Sequence, residues 1–123
     1  MKPKINIKRI YDHPDKKDGL RVLVDRLWPR GVRKDEAGVD VWAKDLAPST
    51  DLRKWFGHDP KKWEQFTKRY TAELKLRQDE IKGLLSQWSD QQTITLLYAA
   101  KSETHNHALV LMEFLKQTIG YKC

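Results

Sequence analysis

The segment Thr93-Ile94-Thr95-Leu96-Leu97-Tyr98-Ala99 constrains the fold of this chain more than any other. It carries no charge and is rich in β-branched and aliphatic residues, which reads as a strand buried in a sheet. A polar stretch follows from Ala100 to His107. Then Ala108, Leu111, Met112 and Leu115 recur at the spacing of one helix face, which ends near Gly120. Strand, loop and amphipathic helix in that order make the repeating unit of an α/β sheet. The expected fold is a single compact α/β domain over residues 1–123, with a small, mainly parallel sheet flanked by helices.

The remaining elements fit this class. Ile5, Ile7, Ile10 and Tyr11 give a short strand with imperfect alternation. Asp12 to Gly19 is a loop, with Asp18-Gly19 as its turn signal. Leu20 to Leu27 is a second strand, apolar enough at Val22, Leu23 and Val24 to be central, and stopped by Pro29 and Gly31. Val39 to Trp42 is a third, short strand. Ser49 caps a helix over Thr50–Phe56 that Gly57 ends. Asp59-Pro60 opens the next helix. Trp63, Phe66, Tyr70 and Leu74 share one face of it. The pattern slips near Arg77–Asp79 and resumes at Ile81, Leu84, Leu85 and Trp88, so residues 63–88 form one kinked helix or two. Trp55, Trp63 and Trp88 are expected in the core. Lys61-Lys62 and Lys68-Arg69 read as a solvated helix face.

Composition excludes several classes. A mean hydropathy of -0.77 and the lack of an 18-residue apolar run argue against a membrane-spanning helix. Met1 to Asn6 shows no apolar leader, so no signal peptide is expected. The single cysteine, Cys123, rules out an intrachain disulfide or a cysteine-rich zinc site, and a cytoplasmic setting fits. Cys123 itself is expected to be an exposed thiol with no role. The net charge of +7 is unevenly placed. Residues 1–34 hold 11 basic and 4 acidic residues, whereas residues 35–123 hold 13 of each. Such a surplus raises the local concentration of anions, whether nucleic acid or small ligand.

Two stretches carry candidate chemistry. The first is Asp25-Arg26-Leu27-Trp28-Pro29-Arg30-Gly31, at the carboxyl end of the second strand. Ligands in open α/β sheets bind beyond that end. Arg26 and Arg30 offer donor forks for phosphate or carboxylate, and Trp28 a flat wall for a ring. The plainer reading is an Asp25–arginine pair that fixes the loop, with Trp28 filling the core edge. The second stretch is Tyr98 to His107, between the last strand and the last helix. Its backbone N–H groups and the helix N-terminus suit an anion. Lys101, Ser102, Thr104 and Asn106 add donors, and His105 or His107 titrates near neutral pH. Here the plainer reading is a polar connection in which Thr104 or Asn106 caps the helix. Neither the phosphate-loop spacing nor a nucleophilic cysteine is present. His105 and His107 would share a metal only on extended backbone, so no metal site is expected.

The runs Arg9–Asp12 and Asp18–Gly31 resemble the YeaO-like family of bacterial and archaeal proteins of unknown function. So do Trp42–Ser49, Leu52–Phe56, Leu96–Lys101 and Asn106–Ala108. The resemblance spans nearly the whole chain, and Asp25–Gly31 is its most specific part. It implies a compact α/β domain and carries over no catalytic role. Longer relatives in the wider superfamily carry cysteines in and after the last strand. The resemblance places Tyr98 and the His105–His107 stretch there instead, which speaks against thiol chemistry. Some members bear a winged-helix regulator label. The surplus charge here lies ahead of the helices rather than on a recognition helix, which does not support that label.

Two functional expectations follow. In the first, the chain binds or acts on a small anionic, phosphate- or nucleotide-like ligand, with no cofactor indicated. Arg26, Trp28, Arg30, Lys101, His105 and Asn106 would hold the ligand, and Asp25 and His107 would transfer protons. In the second, the basic first quarter binds nucleic acid, with Tyr11 and Trp28 stacking on bases. A structural or partner-binding role would show as a stable oligomer.

Overall fold

The computed structural model describes residues 2–120; the expectation for Cys123 lies outside them. Four strands form one parallel sheet: β1 (Lys4–Arg9), β2 (Leu20–Leu23), β3 (Val41–Trp42) and β4 (Thr93–Tyr98). Their spatial order is β1-β4-β2-β3. The uncharged strand β4 is therefore central, paired with β1 from Lys4↔Thr93 to Arg9↔Tyr98 and with β2 from Leu20↔Ile94 to Leu23↔Leu97. Four helices follow the expected spacing: α1 (Thr50–Phe56), α2 (Trp63–Leu76), α3 (Gln78–Gln87) and α4 (His107–Ile119). The slip near Arg77 is a break, with Arg77 separating α2 from α3. Asp59 and Pro60 start a 3-10 turn that leads into α2. Among the described residues no helix is long and apolar enough to cross a membrane.

Strand alternation sorts the side chains onto two unlike faces. Ile5, Val22, Val24, Ile94, Leu96 and Tyr98 pack with residues of all four helices. Leu23, Leu97 and Ile10 pack instead against Trp28, Val32, Ala37, Val39 and Trp42. The helices thus cover one face, and the irregular segment after β2 covers the other. Trp88 is buried, while Trp55 and Trp63 lie half-buried against the same core. Lys62 and Arg69 are not purely solvated, because both lie over the Trp55 ring.

β2 is shorter than the sequence pattern suggests. It ends at Leu23 rather than Leu27, with one more ladder bond from Val24 N to Leu97 O. Past Val24 the chain is drawn out of the sheet by side-chain bonds. Arg26 donates to the carbonyls of Pro48 and Ala47, and the Trp28 indole donates to Val32 O.

The loop before β2 holds a polar cluster that the pattern did not reveal. Asp18 and Arg21, both buried, form an ion pair across Gly19, and Lys8 joins Asp18 at 3.0 Å. Arg21 also donates to Gly38 O and Ala37 O, which clasps the far segment onto the sheet. Burial alone would raise the Asp18 pKa. Bonds from the Asp15 backbone, Lys8 and Arg21 outweigh it and hold the carboxyl below its usual range.

Gly19 is the hinge of this turn. Its φ is +64°, and a Cβ there would lie 2.2 Å from the Thr93 carbonyl oxygen of central strand β4. Gly31 has φ +78° and open space around it. Gly31→Ala should therefore cost only the left-handed backbone penalty, roughly 1–2 kcal/mol. Gly19→Ala should cost clearly more, read as a lower urea midpoint. Equal midpoints for the two variants would contradict this packing.

Candidate functional site

The parallel register brings the carboxyl ends of β2 and β4 side by side. The backbone N–H of Ala99, just after β4, donates to Asp25 Oδ2 at 3.1 Å. His107, the first residue of α4, reaches back so that its Nε2 lies 2.9 Å from Val24 O and 3.3 Å from Asp25 Oδ1. The two candidate stretches, over 70 residues apart in sequence, are thereby joined by Asp25 and His107. Above the junction opens a cavity of about 650 Å³. Ligand pockets of this kind run from roughly 300 to 1,000 Å³.

The cavity has an apolar body and a charged lip. Phe56, Phe66, Pro29, Pro48 and Trp28 supply apolar wall, and Leu27, 60% exposed, stands at its edge. Phe56 and Phe66 stack at 4.3 Å between ring centroids. Arg26, Arg53 and Lys101 line it against a single carboxylate, Asp25. His58, His105 and His107 line it as well. Arg53 lies on α1, and His58 follows the Gly57 that ends this helix. His58 is the only non-glycine residue with positive φ (57°) among the described residues. Backbone held in that region costs free energy and concentrates at binding sites. Arg53 and His58 both act on Asp25 and favour its ionised form.

Of the residues expected at the site, Asp25, Arg26, Trp28, Lys101, His105, Asn106 and His107 all line this cavity. Several are already engaged. Asn106 caps α4, accepting from Leu109 N and donating to Ser102 O. The Ser102 hydroxyl accepts from His105 N, and Thr104 Oγ1 meets His105 Nδ1 at 2.8 Å. The loop is therefore largely bonded to itself, and Lys101 is its exposed cation. Trp28 turns its ring edge-on to Trp42, with Lys34 over it. Arg30 is not brought to the cavity. It sits exposed on the following turn, where its carbonyl accepts from the Tyr11 hydroxyl. Sequence reasoning missed Arg53 and His58, which reach the site only because α1 packs against α2 and buries Leu52 and Phe56 in the shared core. Among the described residues no three His, Cys, Asp or Glu side chains gather as a metal site requires.

The family described as "Inactive DUF488-N3 subclade" (DUF488-N3i) matches residues 4–122. The chain belongs to that family. It is also similar to Uncharacterized protein YeaO of Escherichia coli K12, 46% identical over 112 residues, covering 91% of this chain and 96% of that protein. Uncharacterized protein Rv3073c of Mycobacterium tuberculosis H37Rv is 38% identical over 112 residues, covering 91% and 93%. No solved structure matches the chain. The YeaO-like resemblance of the motifs thus holds across the domain.

Burial sets the charge state of the central pair. It lowers the His107 pKa below the ordinary 6.5, against the opposing pull of the Asp25 carboxylate. It raises the Asp25 pKa above the ordinary 3.8, although His107 and the Ala99 N–H act to lower it. Between pH 6.5 and the depressed His107 value, the unfolded chain holds a proton that the folded chain lacks. Stability therefore falls as pH drops through that window. Asp25 works in the opposite sense, because the folded chain protonates it first as pH falls toward 3.8. In urea unfolding at pH 7 and pH 5.5, His107→Gln should lose less stability on acidification than the parent chain. An equal loss in both would contradict the depressed His107 value.

Proposed function

We propose that this domain binds a small anion with an apolar or planar body, phosphate- or nucleotide-like in character. The supporting observation is the cavity itself, where three cationic side chains and the start of α4 meet stacked phenyl rings. Guanidinium and ammonium groups supply the anion contacts, and a helix N-terminus adds unpaired N–H donors. Binding without turnover is the better-supported form, because the family's own description calls the subclade inactive. A cytoplasmic setting, where such metabolites are available, goes with this reading.

The nucleic-acid reading draws less support. Several basic residues of the first 34 already have partners within the chain. Lys8 and Arg21 pair with Asp18, and Arg33 with Asp35 and Glu36. Arg9 donates to Ala99 O and Ala100 O and lies over the Tyr11 ring. Each of the two rings proposed to stack on bases already has a cation of this chain over it, Arg9 over Tyr11 and Lys34 over Trp28.

Calorimetric titration with phenyl phosphate at low salt tests the proposal. Arg53→Ala and Lys101→Ala should each weaken binding by roughly 1.5–3 kcal/mol, the range for a charged hydrogen bond. Arg30→Ala, which alters a residue outside the cavity, should leave the affinity unchanged. No heat with the parent chain, or loss on Arg30→Ala alone, would overturn the reading.

A further inference from the structure

We infer that the ligand of this cavity carries, besides its anionic group, an N–H or O–H donor that bonds to Nδ1 of His107. This rests on the anion-site reading and specifies its ligand further. The argument starts from the tautomer. A backbone carbonyl accepts and never donates, so the 2.9 Å contact with Val24 O places a hydrogen on Nε2 of His107. The neutral ring then holds its lone pair at Nδ1. The groups that face this ring from neighbouring elements are Asp25, Arg53, His58 and the Tyr70 ring.

No hydrogen bond of the described residues reaches Nδ1. Among those residues, the side-chain polar atoms both buried and unpartnered are Asp25 Oδ1 and Thr67 Oγ1. Nδ1 is not one of them, and His107, whose side chain is 16% exposed, lines the cavity. Asp25 offers little competition as an acceptor. Its Oδ2 is engaged by Ala99 N–H, and its Oδ1 is enclosed 3.3 Å from Nε2. The cavity therefore has donors at its cationic lip and, among its lining groups, an acceptor of fixed tautomer in Nδ1 of His107. A ligand with an anion alone satisfies only the first. One with a protic group across a flat apolar body satisfies both.

Matched compounds separate this inference from the reading beneath it. Phenyl phosphates with a hydroxyl at the 3 or 4 position are titrated beside their methoxy counterparts, which accept but do not donate. At least one hydroxyl compound should bind about three- to tenfold more tightly than its methoxy partner, the worth of one neutral hydrogen bond. His107→Gln, whose amide can still donate to Val24 O, should abolish that preference. Nitrogen NMR on the parent chain should show Nδ1 in its lone-pair form, with a shift on binding of the hydroxyl compound. If all four compounds bind but hydroxyl and methoxy partners bind equally, the donor inference falls and the anion site stands. A protonated Nδ1 in the free neutral ring would also overturn the inference. If no compound binds, the anion reading falls and this inference with it.

Discussion

The hydrogen bond from Ala99 N to Asp25 Oδ2 is the contact on which the cavity depends. β2 and β4 run parallel and adjacent, so their ends emerge together, but parallel pairing alone leaves the two loops free to diverge. The Asp25 carboxylate closes that gap. His107 closes it again from the first turn of α4, through Val24 O. Both links use groups whose charge is disfavoured by burial, and each compensates the other only in part. A buried ionisable pair of this kind contributes weakly to stability against an apolar equivalent. Its position at the base of a lined cavity is the feature that calls for a functional account.

The two faces of the sheet divide the work. The helical face holds the large apolar core, with Tyr70 under His107 and its hydroxyl donating to Leu46 O. Burial holds that hydroxyl protonated well above the usual tyrosine range, so it remains a donor. Among the described residues no α-helix covers the opposite face, which relies on the Lys8–Asp18–Arg21 cluster to fasten residues 37–40. That fastening keeps Trp42 beside β2, and the Trp42 indole donates to Asp25 O. The polar cluster on one face thus helps set the backbone at the site on the other.

Much of this was legible in the sequence. Elements set by local chemistry came through most clearly. Ser49 and Gly57 bound α1 as their capping roles predict, and Asn106 caps α4. The central place of β4 follows from its uncharged run. What stayed hidden depends on tertiary partners. β2 stops early because Asp25 and Arg26 find partners outside the sheet, which periodicity cannot anticipate. Arg21 reads as surface charge until Asp18 is seen across Gly19. Arg53 on α1 and His58 just beyond it show no sign of a binding role in their local sequence, and only packing carries them to the cavity.

Mapping amide and indole shifts on addition of phenyl phosphate tests the central claim most directly. Shifts should concentrate at Asp25–Trp28, Arg53–His58 and Ala99–Ala108, the segments that converge on one cavity. Shifts confined to the basic strand and loop of residues 2–17, with those three segments unmoved, would contradict it.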